Sequence, residues 1–106
     1  MITAEFWLVD SDYSKINRIK ISGHSGYSVE GSDIVCSSVS TAVILTSNLL
    51  EKLYPEFMNK EKKECIEIDV RKINIDDVGY KVLKNFLDYI LELKIQYPDY
   101  VKVLFN

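Results

Sequence analysis

The chain has 106 residues, 47% apolar and 27% charged, a balance that suits one folded core and argues against intrinsic disorder. A formal net charge of −3 gives no basic footprint for direct nucleic-acid binding. Met1–Phe6 show neither a basic n-region nor a cleavage-site pattern, and no apolar run approaches the ~20 residues of a membrane span; the expectation is a cytoplasmic protein with residues 1–106 as a single domain.

Ile2 to Val9 alternates as a strand, with Ile2, Ala4, Phe6 and Leu8 on one face. Asp10-Ser11-Asp12 is a turn cluster. Lys15 to Ser22 resumes the alternation, with Asn17, Ile19 and Ile21 set against Ile16, Arg18 and Lys20, and the short connection predicts an antiparallel hairpin. A loop rich in Gly and Ser follows, after which Ser32 or Asp33 is an N-cap for a helix. That helix carries the stripe Val35, Val39, Ala42, Val43, Thr46, Leu49, Leu50 and Leu53 and ends at Tyr54-Pro55, because a residue before proline disfavours helix.

Met58 to Glu64 reads as a charged connection. Cys65 to Arg71 alternates again, with Ile66, Ile68 and Val70 inward and Cys65, Glu67, Asp69 and Arg71 outward. Asn74-Ile75-Asp76-Asp77 places acids at the start of a second helix, where the dipole favours them. Its stripe is Gly79, Val82, Leu83, Phe86, Ile90, Leu93 and Tyr97, Pro98 stops it, and Tyr100 to Phe105 is a final strand. The order β-β-α-β-α-β predicts an α+β two-layer sandwich, a mostly antiparallel sheet with two helices on one face.

The chemistry concentrates between Gly23 and Cys36. His24 is the only histidine, and Cys36, one of two cysteines, follows it by twelve positions. A thiol in the first turn of a helix meets the positive end of the dipole, which favours the thiolate, and an imidazole within reach takes up the proton. Gly23 permits a bend that would turn His24 toward the helix start. The bland reading of Cys36 is a small buried hydrophobe, since free cysteine is often buried.

Asp33 would cap the helix and anchor the loop, or orient the imidazole. Ser37, Ser38 and Ser40 offer hydroxyls to spare backbone groups, and the unpaired amides of the first turn offer an oxyanion hole. Gly26 and Gly31 flank Tyr27 as hinges of a mobile loop, because their spacing fits neither a phosphate-binding nor a dinucleotide motif. Cys65 has no histidine near it in sequence and reads as incidental. Two lone cysteines make no metal framework, and no cofactor or metal is expected.

Gly23-His24-Ser25, then Gly31-Ser32-Asp33-Ile34-Val35-Cys36-Ser37-Ser38-Val39-Ser40, resembles the signature of the ribosomal-processing cysteine protease family, often called Prp. The family pattern is Gly-His-Ala, a glycine-containing loop, and Gly-x-Asp-Ile-Val-Cys-Ala-Ala-Val-Ser. The departures are small-for-small, with Ser25, Ser37 and Ser38 standing at alanine positions. The resemblance implies an endopeptidase that removes the N-terminal extension of a bacterial large-subunit ribosomal protein, cutting after aromatic residues. It implies Cys36 as nucleophile, His24 as general base, Asp33 and Ser40 as support, a mobile loop between histidine and cysteine, and a homodimer. The acidic balance of the chain would suit a basic ribosomal substrate. Two other classes compete: a non-catalytic ribosome-assembly binding module with Cys36 in the core, and a thiol redox sensor. Neither nucleic acid nor membrane is expected as a direct partner.

Overall fold

Alternating apolar residues build the sheet, and a computed structural model describes residues 1–23, 32–62 and 65–106, with backbone alone for 32, 33 and 60–62. The elements are β1 (Ile2–Val9), β2 (Asp12–Ser22), α1 (Ser32–Leu53), β3 (Lys60–Lys62), β4 (Cys65–Asp69), α2 (Asp77–Gln96) and β5 (Val101–Phe105). The five strands lie in the order β3-β4-β2-β1-β5. Every neighbouring pair is antiparallel except β1 with β5. This is the expected α+β sandwich, with one strand more than predicted. β3 falls in the stretch read as a charged connection, where Lys60-Glu61-Lys62 has no apolar alternation to betray a strand; it pairs with β4 at the sheet edge. Charged side chains suit an edge strand because they discourage further pairing.

Cross-strand rows explain the core. Ile68, Ile19, Phe6 and Phe105 are successive partners across β4, β2, β1 and β5, and Ile66, Ile21, Ala4 and Val103 form the next row. The helices cover this face, and Phe86 of α2 meets Phe6 with ring centroids 6.2 Å apart. Ile16 corrects the simple alternation. The register passes from Trp7↔Arg18 to Leu8↔Ile16, so Asn17 is an extra residue and Ile16 turns inward, fully buried beside Ile19 and Ile21. At the hairpin tip Asp10 and Ser11 have φ of 51° and 60°, the two left-handed residues of a tight turn that matches strand twist. The Asp12 carboxylate accepts the Ser14 amide and hydroxyl at 2.9 and 2.7 Å, fixing the irregular start of β2.

In α1, Val35, Val39, Val43 and Leu50 are buried as expected, whereas Leu49 and Leu53 are exposed. By length and composition Ile34–Leu53 would suffice to cross a membrane, contrary to the sequence expectation; its seven hydroxyl and amide side chains hide the absence of charge from Ile34 to Leu50. In α2, Asp76 is the N-cap and accepts the Gly79 amide, and Leu87 joins the predicted stripe as a buried residue. Tyr97 closes the helix by donating its amide to the Leu93 carbonyl at 2.8 Å, just ahead of Pro98.

Candidate active site

The register fixes one end of the sheet. Thr3 of β1 pairs with Ser22 at the end of β2, Ser22 pairs with Cys65 at the start of β4, and Ile2 pairs with Val101 at the start of β5. α2 returns the chain to this same end, since Tyr97–Tyr100 leads directly into β5. α1 runs antiparallel to α2: Ser38 shares a groove with Glu92, whereas Leu49 shares one with Val78. The first turns of α1, and Cys36 with them, therefore stand over the end where β2 runs into Gly23.

Gly23 is obligatory in this geometry. Its φ is +88°, and a Cβ there would lie 2.2 Å from the Met1 carbonyl oxygen, closer than any side chain can come. The expected bend after β2 is thus present, forced by the close passage of the N-terminus. The chain leaves this bend into His24. The predicted His24, Gly26, Tyr27 and Gly31 all lie outside the described residues, as does the side chain of Asp33.

Cys36 is half-buried, a free thiol that packs against the edge of the hydrophobic core between the buried Val35 and Val39. The residue as a whole is not fully enclosed. The helix begins at Ser32, which corrects the capping assignment. Ser32 and Asp33 are helical residues of the first turn, and Cys36 is the fifth residue, opening the second turn. The amides without an intrahelical acceptor belong to the residues ahead of it, so an oxyanion site would draw on those rather than on the Cys36 amide. Ser40 is half-buried one turn further on the same side of the helix.

Cys65 gains a position that sequence distance concealed. It is half-buried and in register with Ser22, two residues before His24, so both thiols of the chain stand at the same end of the molecule. The alternation of β4 was legible, but only the pairing shows that its start lies beside the end of β2. Among the described residues no cluster of His, Cys, Asp and Glu is arranged to hold a metal.

The outer face of the sheet carries the other polar interactions. Arg18 donates to Glu67 and stacks over Trp7 at 4.2 Å from the ring centroid. Glu67, read as solvent-facing, is only 5% exposed because Arg18 from the neighbouring strand covers it. Arg71 grips Asp69 through two hydrogen bonds of 2.9 and 2.7 Å, which holds the Asp69 carboxyl at about 2.

The comparison with known families decides the class. A family model described as cysteine protease Prp matches residues 1–102. The chain belongs to the Prp cysteine protease family. A search of curated proteins found no match. Among solved structures, the chain is similar to SMU.848 from Streptococcus mutans, with 27% identity, a TM-score of 0.81, and coverage of 100% of this chain and 96% of that one. It shares its fold with the essential ribosomal processing protease Prp from S. aureus in complex with a substrate peptide, at 18% identity, TM-score 0.86 and full coverage of both chains. The same protease with a covalently linked product peptide matches at 19% identity and TM-score 0.82, again over the whole of both chains. Membership of the Prp family makes this chain a cysteine protease, which decides between catalysis and the binding-module and redox-sensor alternatives.

Proposed function

We propose that this Prp-family protease removes the N-terminal extension of a bacterial large-subunit ribosomal protein in the cytoplasm, with Cys36 as nucleophile and His24 as general base. The observation that carries the reading is the segment Gly23-His24 through Asp33-Ile34-Val35-Cys36, set in a chain that the family model matches over residues 1–102. The S. aureus relative is described as a ribosomal processing protease and holds substrate and product peptides, which supports a ribosomal peptide as substrate here.

In the proposed cycle the Cys36 thiolate adds to the scissile carbonyl carbon. The C–N bond breaks as the His24 imidazolium gives its proton to the leaving amine, and a thioester links the new C-terminus to Cys36. His24 then takes a proton from water, the hydroxide adds to the thioester carbon, and the C–S bond breaks to release the acid and restore the thiolate. Spare amides at the start of α1 stabilise the oxyanion of each tetrahedral intermediate. Asp33 anchors the loop at the helix start, Ser40 braces the second turn, and Gly23 aims the chain into His24. Gly26, Tyr27 and Gly31 belong to the loop that covers the substrate. The active protein is a homodimer.

Competitive alkylation tests the nucleophile. At neutral pH iodoacetamide should modify Cys36 at least about tenfold faster than Cys65, because thiolate character controls the rate, and His24→Ala should erase the difference. Equal rates in the wild-type chain, or protection of Cys36, would overturn the assignment.

A further inference from the structure

Helix geometry decides which flank of α1 carries Cys36. At about 3.6 residues per turn, residues two apart stand about 160° apart round the axis. Ser38 and Ala42 line the groove that α1 shares with α2, so Cys36 and Ser40, each two residues before one of them, lie on the opposite flank. α2 packs over β2 and β5, which leaves α1 to cover the buried Ile68 and Val70 of β4. The flank that carries Cys36 therefore overhangs the β4–β3 side of the sheet. Ile66, at the start of β4, faces the same layer as Ile21 and Ile68, yet it is half-buried where they are fully buried. The helix layer stops short there and leaves an apolar opening.

β3 is the outermost strand on that side, and its backbone bonds can be assigned. Val70 donates to Asn17 at 3.0 Å, in the register that sets Ile68 against Ile19 and Ile66 against Ile21. Bonded and non-bonded pairs alternate along an antiparallel ladder, so Ile66 and Ile68 bond to β2, whereas Cys65 and Glu67 bond to β3. Their partners Lys62 and Lys60 turn N–H and C=O inward. The backbone of Glu61, between them, directs both groups to the edge, where no strand pairs among the described residues. A guest residue opposite Glu61 falls in the row of Ile66 and Ile21, on the face that α1 covers, so its side chain turns toward Ile66 and the Cys36 flank. The charges of β3 discourage a long guest strand; a short peptide held also at Cys36 needs one such pair. The other edge, β5, lies on the α2 side, away from that flank.

We propose that the substrate docks as an added strand on β3, bonding to the Glu61 backbone and setting an apolar side chain against Ile66. This rests on the protease reading above and specifies its substrate as extended, and apolar where it crosses Ile66. Fluorescence anisotropy of a labelled peptide spanning the ribosomal extension, with the full chain carrying Cys36→Ala, tests docking apart from cleavage. Glu61→Pro in that chain removes only the edge N–H, at a position where an edge strand accepts proline. It should weaken binding about tenfold with unchanged far-UV circular dichroism, whereas Glu61→Ala keeps the amide and should bind within about twofold of the parent. Ile66→Ala should weaken binding about fivefold. A scan of singly N-methylated peptides, which leaves the protein unaltered, should show losses at alternate residues. Absence of peptide binding overturns the proposal, as does equal loss in Glu61→Ala and Glu61→Pro, an unaffected Ile66→Ala, or uniform tolerance of N-methylation. Unchanged peptide binding by Glu61→Pro with loss of self-association in sedimentation overturns it in favour of a second copy on this edge. The expected binding pattern in a chain that cuts nothing once Cys36 is restored contradicts the protease chemistry alone.

Discussion

Ser47 lies on the buried side of α1 with its hydroxyl oxygen enclosed and, among the described residues, without a hydrogen-bond partner. A buried hydroxyl left unsatisfied costs about 1–3 kcal/mol. Ser47→Ala should therefore raise stability by about 1 kcal/mol, read as a melting temperature several degrees higher. A fall would show that the hydroxyl is bonded in solution. Asp69 makes a pH-dependent contribution of known sign. Its hydrogen bonds from Arg71 lower its folded pKa to about 2 from 3.8, so the stabilisation is complete above the unfolded value and is lost as pH falls toward 2. Urea midpoints taken from pH 5 to pH 2.5 should fall more steeply for the wild type than for Asp69→Asn; parallel curves would contradict the account. Of these side chains the sequence revealed the residue types alone. The burial of Glu67 beneath Arg18 and the approach of Met1 to Gly23 arise from neighbours distant along the chain.

At the scale of elements, the α1 C-terminus is tied to the start of α2. Tyr54 donates its hydroxyl hydrogen bond to Asp76, the same carboxylate that caps α2 through the Gly79 amide. A Cβ on Gly79 would lie 2.6 Å from the Tyr54 hydroxyl oxygen and 3.0 Å from its ring. Gly79→Ala should destabilise the chain even though alanine favours helix by roughly 1 kcal/mol. Adding Tyr54→Phe removes the nearer obstacle, so the double variant should lose less than the sum of the single losses in thermal unfolding; strict additivity would show that the clash relaxes elsewhere.

Element types were legible because the apolar periods are strong: 2 in β1 and β4, 3.6 in α2. Three features were not. β3 has no apolar alternation. The bulge at Asn17 depends on pairing with β1. Leu49 and Leu53 lie within the α1 stripe but beyond the width that α2 and the sheet cover.

At the scale of the whole molecule, the sheet brings the exit of β2 and the first turns of α1 to one end, so the segment from Gly23 to Cys36 starts and finishes at that end. That convergence follows from topology: α2 returns to the start of β5, and α1 lies antiparallel against α2. The candidate pair was legible in sequence because the chain has a single histidine and a compact motif. The position of Cys65 beside Ser22 was not, since strand pairing alone creates it. Mass spectrometry of a peptide spanning the N-terminal extension of the host's large-subunit ribosomal protein, after incubation with the purified chain, is the most direct test. The wild type should cut one bond, Cys36→Ala and His24→Ala should cut none while keeping the wild-type circular dichroism, and cleavage by either folded variant at the wild-type rate would contradict the account.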